Sequence, residues 1–135
     1  MPDLDGSLDA NVILRLLLND VPAQHDAALK LFNKTITQLS ISDTAVIEVV
    51  FVLGRVYGFT RQQVFEAIGG LMKLQKLNLN RALFEMALSY FIKHPSLSFE
   101  DCCLVVYAQL NQAEPLWTFD KKLANQIPGA KIIAS

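Results

Sequence analysis

Residues 39–60 have the sequence LSISDTAVIEVVFVLGRVYGFT, which predicts a short strand followed by a long helix. The alternation over Leu39–Ser42 is typical of a strand. Asp43 or Thr44 can cap the helix that follows, which we expect over Ala45–Tyr57. Gly58 comes next, and glycine commonly ends a helix. A strand that leads directly into a helix is the repeating unit of an α/β fold.

The same alternation of short strands and helices extends in both directions from this stretch. We expect further strands at Ser7–Asp9, Lys76–Leu79, Pro115–Phe119 and Lys131–Ala134, and further helices at Asn11–Leu18, Pro22–Phe32, Thr60–Lys73, Arg81–Lys93, Ser98–Asn111 and Asp120–Gln126. Strands separated by helices favour a parallel sheet that is covered on both faces. The predicted fold is therefore a three-layer α/β/α sandwich with a short parallel sheet, in one domain over residues 1–135.

The composition excludes several classes of protein. The chain has 135 residues, of which 52% are hydrophobic and 19% are charged, so an intrinsically disordered chain is excluded. The formal net charge of −1 disfavours nucleic-acid binding through bulk positive charge. The high apolar share favours an oligomer with a buried apolar interface.

Two features of the sequence favour a cytoplasmic protein. Cys102 and Cys103 are adjacent and are expected as small buried residues in a reducing compartment. The first residues lack the pattern of a signal peptide, and no apolar run is long enough to span a bilayer.

Four carboxylates stand out from the acidic residues of the chain. Asp9 and Asp120 follow predicted strands, Asp101 begins a predicted apolar helix, and Glu48 lies between apolar residues. Ligand sites of open α/β sheets lie beyond the carboxyl ends of the strands. The three aspartates also have an ordinary interpretation, because aspartate is common at helix caps and in first turns.

Glu48 is less easily explained, since its neighbours Ala45, Phe51 and Val52 at helical spacing are all apolar. We expect it to be buried, where an unpaired carboxylate costs several kcal/mol. It can pair with Arg55 two turns along the helix. The alternative that we favour is a cluster of four carboxylates around divalent cations, and oxygen ligands of this kind select Mg²⁺ or Mn²⁺.

The segments around these four residues resemble the acidic motifs of PIN domains, and most of all those of the VapC-type toxins of toxin–antitoxin pairs. They read LDANVILRLLL around Asp9, TAVIEVVFVLGRVYGFTRQQV around Glu48, LSFEDCCLVVYA around Asp101 and LWTFDKKLA around Asp120. The resemblance covers nearly the whole chain, in the order and spacing of the family.

The resemblance implies a Mg²⁺- or Mn²⁺-dependent endoribonuclease that cleaves RNA. It implies that Asp9, Glu48, Asp101 and Asp120 form the catalytic, metal-binding quartet, and that Asn11 and Thr118 help to organise it. It further implies a homodimer that is held inactive by a small antitoxin protein. Two other functions remain open, namely a PIN-fold nuclease of RNA processing and a PIN-fold interaction module without catalysis.

Three basic residues lie close to these motifs in the sequence: Arg15, Lys121 and Lys122. Each of them can contact a phosphate of a nucleic acid. A solvated surface position is at least as good an interpretation of all three.

Overall fold

The computed structural model describes residues 4–134, and the chain forms two compact units that divide between Asn80 and Arg81. Unit 1 contains, in chain order, β1 (Leu4–Ser7), α1 (Ala10–Leu17), α2 (Pro22–Lys34), β2 (Gln38–Ser40), α3 (Asp43–Arg55), α4 (Arg61–Met72) and β3 (Leu77–Asn78). Unit 2 contains α5 (Arg81–Lys93), α6 (Phe99–Leu110), β4 (Leu116–Thr118), α7 (Lys121–Gln126) and β5 (Ala130–Ile132).

The three strands of unit 1 form a parallel sheet in the order β1-β2-β3. The amide of Leu39 donates to the carbonyl of Lys76 at 2.7 Å, and the amide of Leu8 donates to the carbonyl of Ser40 at 2.9 Å. Because all three strands run in the same direction, their carboxyl ends lie at one edge of the sheet. The residues that follow these ends, Asp9 among them, are therefore placed at that edge.

The first strand lies earlier than the sequence predicts. It spans Leu4–Ser7 rather than Ser7–Asp9, and all four of its residues are exposed. The prediction was wrong because Asp9 caps α1, which begins at Ala10 and takes the chain out of the sheet direction. The residue of this segment that packs into the core is Leu8, which follows the strand and is 5% exposed.

Helices α1, α3 and α4 of unit 1 each bury several apolar residues, whereas α2 buries only Ala28. Helix α1 packs against α2 and α3, and α3 packs against α4.

Ser42 caps α3 with its hydroxyl, which accepts from the amide of Ala45 at 3.1 Å, so the predicted caps Asp43 and Thr44 were wrong. Ser42 is the last extended residue, whereas the other two already lie in the first turn. The predicted capping box of α4 is confirmed, with reciprocal bonds between Thr60 and Gln63.

Unit 2 packs α5 against α6, and α7 against the two-stranded parallel sheet of β4 and β5. Its core contains an aromatic group in which the ring of Phe99 lies 6.0 Å from that of Phe84 and 5.5 Å from that of Phe91. Cys102 and Cys103 are buried on α6, as predicted.

The prediction of an α/β fold with short parallel strands is confirmed. The predicted helices lie within two residues of the observed ones at each end, and the single domain over residues 1–135 stays a prediction. No helix in the part of the chain that the structure describes is long and apolar enough to cross a membrane.

Candidate functional site

Asp9 occupies an exposed position between β1 and α1. Its Oδ1 atom accepts a hydrogen bond from the amide of Val12 at 2.9 Å, so the interpretation of Asp9 as a helix cap is confirmed for this oxygen. The other oxygen, Oδ2, has no hydrogen-bond partner among residues 4–134. One carboxylate can therefore hold the helix start through Oδ1 and present Oδ2 to a ligand.

Glu48 is exposed, and the prediction that it is buried was wrong. The flanking valines, Val49 and Val50, face the core, whereas Glu48 and Phe51 lie on the opposite side of α3. Its carboxylate forms no hydrogen bond or ion pair within the described part of the chain, so the alternative pairing with Arg55 is not observed. Both oxygens of Glu48 are available to a ligand.

Asp9 and Glu48 line the same pocket, which has a volume of about 410 Å³. Its other polar side chains are hydroxyl groups, and its apolar floor includes Ala10; the full lining is Ser7, Leu8, Asp9, Ala10, Ser42, Thr44, Ala45 and Glu48. All of the polar side-chain atoms in this pocket are oxygens, the donor type that Mg²⁺ and Mn²⁺ prefer. The residues of unit 1 therefore fit the predicted kind of metal.

A second pocket, of about 380 Å³, is also lined by Asp9. It includes Asn11, the polar residue that the resemblance marks as an organising position, together with Arg15 and Gln24. Asp9 lines both pockets, so a ligand in either one would lie close to its carboxylate.

Arg15 is held by a network that the sequence did not reveal. Its guanidinium forms an ion pair with Asp20 at 2.7 Å and donates to the hydroxyl of Tyr57 at 3.0 Å. The same hydroxyl donates to Asp20 at 2.6 Å. The solvated-surface interpretation of Arg15 was wrong, since its side chain is only 12% exposed. The three residues are separated by up to 42 positions, and no local pattern connects them.

This network shifts two pKa values in the direction that favours the charged forms. The hydrogen bond with Tyr57, followed by the charge of Arg15, lowers the pKa of Asp20 below its ordinary value. The pKa of Arg15 is raised, first by its hydrogen bond with Tyr57 and then by the charge of Asp20. The pair therefore stays charged across the neutral pH range.

In unit 2, Asp101 and Asp120 occupy different kinds of position. Asp101 is half-buried in the first turn of α6, and the hydroxyl of Ser98 accepts from its amide at 3.1 Å. Asp120 is exposed and caps α7, with Oδ1 accepting from the amides of Lys122 and Leu123. The hydroxyl of Thr118 accepts from the amide of Asp120 at 2.9 Å and so holds the backbone at this aspartate, while its role in organising a metal site stays a prediction.

The four predicted site residues are thus described as two pairs, one in each unit. Among residues 4–134, no group of three or more His, Cys, Asp or Glu side chains is arranged so that it could hold a metal ion. The convergence of all four carboxylates on one site stays a prediction.

The PIN domain family matches residues 7–126. The chain belongs to the PIN domain family. All four of the predicted carboxylates, and both of the polar positions, lie within the matched residues of this PIN domain.

Two solved structures are similar to this PIN domain. One is VapC20 of Mycobacterium tuberculosis, described as a toxin that cleaves the sarcin–ricin loop, with 16% identity, a TM-score of 0.45, and 90% of this chain and 94% of that chain covered. The other is a toxin–antitoxin complex from Klebsiella pneumoniae, with 20% identity, a TM-score of 0.35, and 94% and 96% covered. Among curated proteins, the comparison finds no match.

Proposed function

We propose that this PIN domain is a Mg²⁺- or Mn²⁺-dependent endoribonuclease and the toxin of a toxin–antitoxin pair. The observation that carries the proposal is the pocket in which Asp9 and Glu48 present unpaired carboxylate oxygens beside hydroxyl groups, at the carboxyl edge of the unit 1 sheet. Membership of the PIN domain family supports the nuclease class.

The residues of this pocket suit hydrolysis of a phosphodiester. A bound Mg²⁺ or Mn²⁺ ion supplies charge neutralisation of the phosphate and activation of water. Asp9 can offer Oδ2 as a ligand, while Oδ1 keeps the carboxylate fixed at the start of α1. Glu48 can serve as a second ligand or as a general base, since its oxygens form no bond with the described residues.

Cleavage of RNA by the purified protein tests the nuclease function. We expect cleavage of a mixed single-stranded RNA with Mg²⁺ or Mn²⁺, and loss of cleavage with a chelator. Asp9→Asn should reduce the rate by about 100-fold or more, because an amide is a weaker ligand for a hard dication. The matched control is Asp26→Asn, an exposed aspartate of α2 outside both pockets, which should cleave normally. Equal rates for the two variants would refute the assignment of the site.

The proposed site also includes Asp101 and Asp120 of unit 2. If these residues complete the site, Asp101→Asn and Asp120→Asn should each weaken binding of Mn²⁺, measured by calorimetry without RNA. Unchanged Mn²⁺ affinity in both variants, with weaker binding in Asp9→Asn, would restrict the metal site to unit 1 and reject the four-carboxylate site.

The toxin role requires a small antitoxin partner. We expect expression of the chain alone to arrest growth, and co-expression with a neighbouring small reading frame to relieve the arrest. Cleavage without growth arrest would favour a nuclease of RNA processing instead. Neither cleavage nor arrest would favour an interaction module.

The proposed homodimer is supported by the exposed apolar residues at the end of α3. Phe51 is 66% exposed and Val56 is 68% exposed, while Phe65 on the neighbouring helix α4 is 39% exposed. Burial of large apolar side chains in a second copy would remove this surface from water.

A further inference from the structure

Two aromatic side chains of unit 2 are exposed beside Asp120. Trp117 is 60% exposed and Phe119 is 72% exposed, while Leu116 and Thr118, which alternate with them, are half-buried. Alternate residues of an extended chain point to the same side of a sheet. Trp117 therefore lies on the exposed face of β4, and Phe119, in the bend that directly follows the strand, is the next exposed ring along the chain.

This aromatic face is bordered by positive charge. Trp117 pairs in register with Lys131 of the parallel strand β5, so the two side chains leave the sheet on the same side. Lys121 and Lys122 follow Asp120 at the start of α7 and are exposed. None of the three lysines forms an ion pair within the residues that the structure describes.

We propose that Trp117 and Phe119 form a stacking platform for the unpaired bases of single-stranded RNA, with Lys121, Lys122 and Lys131 binding its phosphates. Exposed aromatic rings beside unpaired lysines are the combination with which proteins bind single strands, since every base offers a face for stacking and every linkage a negative charge. A duplex keeps its bases stacked inside the helix and offers no free face to the rings.

The choice of RNA as the bound polymer rests on the proposed nuclease function. The position of the platform beside Asp120 gives it a role in that function. Phe119 directly precedes Asp120, one of the proposed site residues, and the hydroxyl of Thr118, the residue before Phe119, accepts from the amide of Asp120. Bases stacked on the two rings would place the adjoining phosphate next to that carboxylate. The platform thus selects unpaired regions of an RNA as the substrate.

Trp117 is the only tryptophan of the chain, so its fluorescence reports directly on the platform. We expect a single-stranded RNA of twelve nucleotides, added in a chelator so that no cleavage occurs, to quench this fluorescence. A duplex of the same sequence should not. Phe119→Ala should weaken binding by about 5- to 150-fold, which corresponds to the loss of one stacked base. Trp117→Ala should have a similar effect, measured by the anisotropy of labelled RNA.

Tyr107→Ala is the matched control. Tyr107 is an aromatic residue of α6 in the same unit and is 55% exposed, so its removal should leave RNA affinity unchanged. The platform is rejected if both platform variants bind RNA like the wild type, or if the duplex quenches as strongly as the single strand. It is also rejected if Phe119→Ala lowers the mass measured by light scattering, because a second copy would then cover this face.

The outcomes for the platform and for the nuclease can be told apart. Quenching by single-stranded RNA with no cleavage under any metal would keep the platform and reject the proposed nuclease. Cleavage that depends on Asp9, with unchanged RNA affinity in Trp117→Ala and Phe119→Ala, would keep the nuclease and reject the platform.

Discussion

Asp9 shows how one side chain can serve structure and chemistry with different atoms. Oδ1 caps α1, and Asn is as good a cap as Asp. We therefore expect Asp9→Asn to unfold at the same denaturant concentration as the wild type in the absence of metal. Asp9→Ala, which has no cap, should lose about 0.5–2 kcal/mol of unfolding free energy. Equal stabilities of the Asn and Ala variants would show that the capping bond contributes nothing.

In unit 2, the hydroxyl of Thr118 holds the backbone at the candidate site residue Asp120. Thr118→Val keeps the branched shape that a strand favours and removes the acceptor. The expected cost is about 0.5–1.5 kcal/mol of unfolding free energy, together with slower RNA cleavage. Thr118→Ser keeps the hydroxyl and should restore both. If Thr118→Val behaves like the wild type and Thr118→Ser does not, the methyl group rather than the hydroxyl is what matters.

At the scale of elements, the Arg15–Asp20–Tyr57 network joins α1, the turn after it and the residues that follow α3. The lowered pKa of Asp20 means that its charged form stabilises the folded state. This contribution is fully present above the ordinary value of 3.8 and is lost as the pH falls through the lower folded-state pKa. We expect Tyr57→Phe to melt at a lower temperature than the wild type at pH 7.

The same network predicts how that difference changes with pH. As the solution is acidified below the ordinary pKa of Asp20, the carboxylate becomes protonated in both proteins and the gap between the two melting temperatures should narrow. Melting curves of the wild type and of Tyr57→Phe from pH 7 to pH 2 measure this difference in melting temperature. A gap that is constant across this range would mean that Tyr57 stabilises the protein through packing and not through the charge of Asp20.

Most helices and strands could be predicted from the sequence, because their signals are local. Thr60 and Gln63 predict the start of α4 through a spacing of three residues, and Ser98 does the same for α6. The first strand was placed wrongly because all of its residues are exposed and Leu4 is its only large apolar residue, so that no alternation of apolar and polar residues marks it. Elements defined by neighbouring residues are predictable, whereas those held only by a partner strand are not.

The candidate site was predicted less completely, for the same reason. Residue types and motif order predicted Asp9 and Glu48 as candidate site residues, but the exposure of Glu48 depends on which face of α3 turns towards the core. Sequence neighbours cannot settle this for a helix that is apolar nearly all round. The partners of Arg15 were missed because Asp20 and Tyr57 approach it only in the folded chain.

At the scale of the whole molecule, the exposed end of α3 makes the proposed dimer testable. Light scattering should give twice the mass of the monomer at micromolar concentration. Phe51→Lys should raise the dissociation constant about tenfold or more, since a central interface aromatic commonly contributes over 1 kcal/mol. Ile36→Lys, at an even more exposed apolar residue outside α3, should have no effect. A monomeric wild type would exclude the dimer.

The reactivity of the two buried cysteines of α6 can report on the opening of unit 2. Cys102 is 0% exposed and Cys103 is 4% exposed, and the sequence has no other cysteine. A thiol reagent should therefore modify the protein only when α6 opens, and unit 1 contributes no signal. If unit 2 opens by itself, labelling will be faster than global unfolding allows. If the two units unfold together, the labelling rate will follow the denaturant dependence of the whole chain.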